Sequence, residues 1–189
     1  MKWMTILVGA WLSSAASVSA QPYLGASVGS VKSSERCEVP SYCDLSDSGY
    51  KLFAGYQFMR YVGIEAAYVD LGNTRRSFVY PAGFNVREQL SASGFELVGV
   101  LTLPVTERLS VFAKIGGAYL TVTKSDSVNG ATFGQPGDST RNGYVVGIGA
   151  AIQVAANVRA RVGYERIELT NRGSDGPIAF TGVGLSYHF

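Results

Sequence analysis

Residues 50 to 72 read YKLFAGYQFMRYVGIEAAYVDLG, and their two-residue period decides the fold. Tyr50, Leu52, Ala54, Tyr56 and Phe58 share one face of a strand, with Lys51, Phe53, Gly55 and Gln57 on the other. After a minimal turn, Val62, Ile64, Ala66 and Tyr68 share a face opposite Gly63, Glu65 and Ala67. Such alternation places successive side chains in two unlike surroundings. A sheet in water hides its apolar face and shows a polar one, which leaves Gly and Ala on the polar side without a reason. A membrane barrel supplies the reason: large apolar and aromatic groups meet lipid, while small residues and occasional charges line a narrow polar interior.

The rest of the chain agrees with that choice. Its 189 residues suit one domain, and it is rich in Gly, with 23, and in aromatic residues, at 12%. The net charge of +2 argues against nucleic acid as a partner and against an acidic tail. Mean hydropathy is slightly positive, yet after the first segment no apolar run approaches the roughly 18 to 20 residues of a spanning helix. A membrane protein without spanning helices must be a closed barrel, because closure pairs every backbone N–H and C=O where water is absent.

The first twenty residues read differently. Lys2 precedes an apolar stretch from Met4 to Ala16, followed by Val18-Ser19-Ala20. That is the form of a secretory signal with a small-x-small cleavage site, so residues 1–20 are expected to be removed and residues 21–189 to form the barrel domain.

Eight strands are expected: Tyr23 to Val31, Tyr50 to Phe58, Val62 onward, Leu90 to Leu103, Ser110 to Val122, Asn142 to Val154, Val158 to Leu169 and Ile178 to Phe189. The connections alternate long and short. The long ones are Lys32 to Asp47, Asn73 to Glu88, Thr123 to Thr140 and Thr170 to Pro177, and Pro81-Ala82-Gly83 reads as a hairpin tip. Residues 143 to 156, GYVVGIGAAIQVAA, are the stretch most like a helix, but Gly143, Gly147 and Gly149 fall on one face of a strand and would each weaken a helix by roughly 1 kcal/mol. Nor do they form a dinucleotide loop, since the third glycine is missing. The fold expected is all-β: an eight-stranded antiparallel up-and-down barrel of the bacterial outer membrane, with short turns periplasmic and long loops extracellular. Tyr56, Phe58, Tyr187 and Phe189 would form one aromatic girdle, and Tyr50, Tyr68, Tyr119 and Tyr144 the other.

Side-chain chemistry is sparse. Cys37 and Cys43 are a close pair in an exported chain and are expected to form a disulfide; a metal is disfavoured because two thiols with no nearby His leave a tetrahedral site half empty. The one histidine, His188, shares a face with Ser186, but no substrate pocket is signalled there, so no catalytic residue is expected and no cofactor. The inward face reads as Gly, Ala, Ser and charges, which disfavours a soluble lipocalin-like barrel with a greasy cavity. Lys51, Glu65, Glu96, Lys114, Arg161 and Glu165 all face inward and are expected to form one paired network, since isolated charges are costly in a narrow interior.

Taken together, YLGASVG in the first strand, GYQFMRYVGIEAAYVDLG in the hairpin, the IGG at 115 to 117, RVGY at 161 to 164 and the terminal GVGLSYHF resemble the transmembrane domain of the outer membrane protein A family. The resemblance covers nearly all of the chain after residue 20. It implies charged lumen positions at Glu65, Lys114 and Arg161, whereas family lysines are replaced here by Val100 and Ser27, so the pairing must differ in detail. The final segment, with Leu185, Tyr187 and Phe189 on one face, resembles the signal read by the barrel insertion machinery. Family members with a periplasmic peptidoglycan-binding domain continue further, so wall anchoring is not expected to carry over.

The role expected is structural, with loops presented at the surface for adhesion or recognition of a host or phage surface. Arg75 and Arg76 are expected at the height of lipopolysaccharide phosphates, with Phe78, Tyr80 and Phe84 projecting beyond them. A narrow ion or solute pore is the alternative, and a lipid-modifying enzyme a third reading.

Overall fold

The computed structural model of the protein describes residues 21–33, 42–44, 46–79, 85–128, 131–132, 137–170 and 176–189. Its strands in chain order are β1 (Gln21–Ser33), β2 (Tyr42–Asp44), β3 (Ser46–Gln57), β4 (Val62–Val79), β5 (Asn85–Pro104), β6 (Leu109–Val128), β7 (Ala131–Thr132), β8 (Gly137–Ala155), β9 (Val158–Leu169) and β10 (Ile178–His188). Eight of them close a barrel in the order β1-β3-β4-β5-β6-β8-β9-β10, every pairing antiparallel. The other two are short additions to the loop end. β2 pairs with β4 and β7 with β6.

Closure can be followed residue by residue. From Tyr23 the ladder partners run through Gly55, Glu65, Val98, Gly116, Val145, Ile167 and Ile178 and return to β1 at Ser33, ten residues further on. A shear of that size over eight strands tilts them by about 40° and gives a bore just wide enough to be filled by side chains. It also means that each step along a ladder climbs the wall by about 3 Å.

The turn end is tied by backbone bonds. Met59 N donates to Val62 O at 3.1 Å, Phe189 N to Pro22 O at 3.1 Å, and His188 N to Asn157 O at 2.8 Å, so the last residue is stitched to the first strand. At the loop end the strands run further than expected. β5 extends Leu90–Leu103 to Asn85–Pro104, β6 reaches Val128, and β8 begins at Gly137. Above the lipid both faces of a strand are wet, so alternation fades from the sequence while backbone pairing continues. A register shift bends this raised wall between Asp70 and Asn73, where Gly72 takes a φ of 72° and donates its N–H to Asp70 Oδ1 at 2.9 Å.

The outer face is apolar, with Leu24, Val28, Leu52, Ile64, Leu97, Ile115, Ile148, Val162, Val183 and Leu185 all exposed. Aromatic pairs edge it: Tyr68 and Phe95 meet with ring centroids 5.4 Å apart near the loop end, and Tyr187 and Phe189 at 5.1 Å at the turn end.

The interior differs from the expected list of Gly, Ala, Ser and charges. Phe53, Phe112, Phe180, Val69, Leu71, Leu120, Val145 and Ile167 are all buried within it. Two causes combine. Glycines on neighbouring strands make room for the rings, and the upper bore carries a cluster of aliphatic side chains among the described residues.

Candidate functional site

The chemistry of the molecule is concentrated in the bore. Interior glycines come first, because they decide where rings can lie. Tyr23 pairs across the ladder with Gly55, Phe53 with Gly25, and Phe112 with Gly149. In each pair a Cβ on the glycine would lie 2.1 to 2.3 Å from a ring carbon, so the ring occupies the space that a side chain would take. Aromatic cover of strand glycines restores the packing that glycine forfeits.

These rings then position a cation. The Arg161 guanidinium lies 4.6 Å from the Phe112 centroid, 4.7 Å from that of Phe53 and 5.6 Å from that of Tyr23. Arginine is weakly hydrated and stacks well on ring faces, which makes it the cation best suited to so dry a setting. From there Nη1 donates to Glu65 Oε2 at 3.0 Å, and the Tyr23 hydroxyl donates to the same oxygen at 2.9 Å.

Glu65 begins an unbroken alternation of charge. Lys114 Nζ donates to Glu65 Oε1 at 2.5 Å and to Glu165 Oε1 at 2.9 Å. Lys51 Nζ donates to Glu165 Oε2 and, at 2.5 Å, to Glu96 Oε2. The order is therefore Arg161, Glu65, Lys114, Glu165, Lys51, Glu96, three cations and three anions with each neighbour of opposite sign. Five strands supply the six residues, β9 giving both Arg161 and Glu165, and the chain's two ends differ. Arg161 is closed in by rings, whereas Glu96 Oε1 is buried with no hydrogen-bond partner among the described residues. Val100 and Ser27, where lysines of the resembled family would fall, add no charge.

Toward the loops the ion chain gives way to aliphatic residues. Ile167 follows Glu165 at the next interior position of β9, Val69 is the ladder partner of Lys51, and Leu120 follows Ala118, the partner of Glu96. With Val31, Leu71 and Val145 they form one buried apolar cluster. The cluster itself offers no replacement for an ion's hydration shell, and inward-facing Asp47 and Arg141, the ladder partners of Val31 and Leu120, border it on the loop side. Toward the turns, His188 stacks on Tyr23 at 5.0 Å and its Nε2 lies 3.2 Å from Ser186 Oγ.

The geometry suits a seal more than a reaction. Among the described residues no acid orients His188, since the nearby Glu65 is committed to Tyr23, Lys114 and Arg161. Among the described residues no group of three His, Cys, Asp or Glu side chains is placed to hold a metal. Leu185, Tyr187 and Phe189 face outward at the turn end of the last strand and beyond it. Residues 1–20, Cys37, Tyr80 and Phe84 lie outside the described residues. Cys43 belongs to β2, and Arg75, Arg76 and Phe78 to β4, but their side chains are also outside what is described.

What sequence reasoning missed were the ring-over-glycine pairs and the aliphatic cluster. The signal for the pairs was available as inward aromatics at Tyr23, Phe53 and Phe112 among inward glycines, but partnering them requires the register.

Comparison with known proteins gives the same architecture. A family model described as the OmpA-like transmembrane domain matches residues 18–189. Outer membrane protein A of Yersinia pseudotuberculosis is 28% identical over 154 residues, 79% of this chain and 42% of that protein. The protein of the same name from Shigella flexneri is 33% identical over 86 residues, 45% of this chain and 23% of that one. The chain thus spans less than half the length of these relatives. Among solved structures, Ail, the attachment invasion locus protein of Yersinia pestis, in complex with the heparin analogue sucrose octasulfate, superposes with a TM-score of 0.58 at 18% identity, covering 90% of this chain and 99% of that one. With its closed eight-stranded wall, lipid-facing exterior and this match across nine-tenths of its length, the chain belongs to the OmpA-like transmembrane domain family and is an integral β-barrel of the bacterial outer membrane.

Proposed function

We propose that the barrel is a non-enzymatic, non-conducting span that braces the outer membrane and raises a recognition surface above it. The observation that carries this reading is the pairing of two features. The bore is filled by an alternating ion chain under an aliphatic layer, and the β4–β5 ladder continues to Val79 and Asn85, eleven residues past the girdle residue Tyr68. Eleven strand residues span roughly 35 Å, far more than the bilayer requires of this hairpin. A barrel that invests in a tall hairpin over a closed bore is suited to contact, not transport.

The ligand class follows from residues near that hairpin. Arg75, Arg76 and Phe78, within β4, and Tyr80 and Phe84, in the sequence between β4 and β5, supply guanidinium groups and rings of the chemistry that suits an anionic, partly apolar surface. A polyanionic glycan of the kind held by Ail fits that chemistry, as does a host or phage surface carrying one. Lipopolysaccharide and the barrel insertion machinery, the latter through Leu185, Tyr187 and Phe189, complete the set of partners in this reading.

The test replaces residues 78–84 by a plain Asn-Gly turn. The variant should fold and insert while adherence to glycan-bearing cells falls, and planar bilayers carrying the parent protein should stay electrically silent. Undiminished adherence would reject the recognition role. Stable conductance steps would reject the sealed bore.

A further inference from the structure

The loop-end aromatic girdle is incomplete, and the gap has its own chemistry. On β3, β4, β5, β6 and β8 the outward residues at this level are Tyr50, Tyr68, Phe95, Tyr119 and Tyr144. On β9 they are Tyr164 with Arg166 above it, on β10 Thr181 with Ala179, and on β1 Ser30 with Lys32, so the aromatic row breaks at β10 and β1. Ladder pairing sets Ala179 directly between Lys32 and Arg166, so the two cations stand two strands apart, about 10 Å. The climb of about 3 Å per ladder step carries these residues to the level of Tyr144 and Tyr119. Arg166 is held in place by Glu168, 2.9 Å away, which itself accepts a hydrogen bond from the Tyr144 hydroxyl.

Two other features coincide with this gap. Below the cations a groove of about 750 Å³ runs down the lipid-facing wall between Val28, Ala26, Val183, Leu185, Val162 and Ala160. Above them, among the described residues, the β1–β10 ladder runs to Ser33 and Ile178, while the β4–β5 ladder on the far side reaches Val79 and Asn85. A second groove of about 830 Å³ lies on that far wall, but its upper lip is aromatic, formed by Tyr68, Phe95 and Tyr119.

We propose that the β9-β10-β1 wall is a binding site for a phosphorylated, acylated lipid of the outer leaflet, with Lys32 and Arg166 on phosphate and an acyl chain in the groove beneath. Charge selects the occupant. An aromatic lip suits any headgroup, but Lys32 and Arg166, which keep one net positive charge after the Glu168 pairing, favour an anion whose tail continues downward. Arginine adds fork geometry toward phosphate oxygens, and lysine a point charge. The lipid A part of lipopolysaccharide has this construction. The inference rests on the outer-membrane placement and is independent of the loop-recognition reading, because exchanging residues 78–84 leaves this wall untouched.

The experiment uses the folded protein in phosphatidylcholine nanodiscs, with backbone amide shifts followed as bisphosphorylated lipid A is added. Shifts should concentrate at Val28, Val162 and Val183, and the Lys32→Ser/Arg166→Ser double variant should need at least about tenfold more lipid for the same response. Dephosphorylated lipid A should lose a similar factor on the parent protein. Lys32→Gln and Arg166→Gln singly should each give an intermediate loss, and folding of every variant is checked by heat-modifiable gel mobility. Equal responses in parent and double variant would overturn the site, as would equal shifts at Leu97 and Tyr119 on the opposite wall. Inorganic phosphate alone reproducing the shifts at lipid A concentrations would overturn the lipid assignment.

Discussion

Lys114 and Glu65 face each other across β5 with Nζ and Oε1 2.5 Å apart, and Glu65 is thereby the only acid of the described bore to be held by two cations and a phenol. Removing its charge strands both Lys114 and Arg161 on one side. Glu65→Gln should therefore lower stability by about 3 kcal/mol or more, in the range of a buried pair losing one partner. Glu107→Gln, in an exposed turn, should stay within about 0.5 kcal/mol. Urea midpoints of the two variants refolded in lipid vesicles make the comparison, and equal midpoints would reject the central role of Glu65.

Glu96 offers the contrast from the end of the same chain. It holds only Lys51, which keeps Glu165 when Glu96 is neutralised. Glu96→Gln should cost no more than about 2 kcal/mol, near the value of one charged hydrogen bond. In the same vesicles its midpoint should fall between those of the parent and Glu65→Gln.

Gly149 tests the ring-over-glycine packing. A Cβ there would lie 2.3 Å from Phe112 Cζ and 2.4 Å from the Val162 carbonyl oxygen, whereas at lipid-facing Gly99 the nearest atom is 3.7 Å away. Gly149→Ala should destabilise by about 1–3 kcal/mol and displace the Phe112 ring. Gly99→Ala should be neutral within about 0.5 kcal/mol, and thermal gel-shift midpoints separate the two.

The disulfide expected between Cys37 and Cys43 closes a short loop, so its loss should cost at most about 2–3 kcal/mol and leave the barrel folded. Maleimide should label neither cysteine in membrane-inserted, unreduced protein. Full labelling of both would reject the bond.

The processing site is read by mass. Protein purified from the outer membrane should begin at Gln21, the first residue of β1 and the ladder partner of Gln57. A mass that includes residues 1–20 would show an uncleaved segment.

Much of the fold was legible from alternation alone, because side-chain direction in a strand has a period of two and needs no knowledge of neighbours. Counting by twos from Lys51 puts Phe53 and Gly55 inside and Leu52 and Ala54 outside, and the same arithmetic in each strand separates the lipid face from the bore. Connection lengths then assign the two ends. The strands' extension toward Val79, Asn85 and Val128 was less legible, since a strand wet on both faces has no reason to alternate.

What tertiary structure alone decided is partnership. The six inward charges share a face in any register, but the ten-residue shear sets Lys114 between Glu65 and Glu165 and leaves Glu96 at the end with Lys51. The same shear lays Phe112 on Gly149 and Phe53 on Gly25, which makes the pocket that holds Arg161. It also lifts Arg166 and Lys32 to the level of Tyr144 on neighbouring β8. Alternation is a property of one strand and is written in order along the chain; register and tilt belong to eight strands at once, and only closure of the barrel determines them.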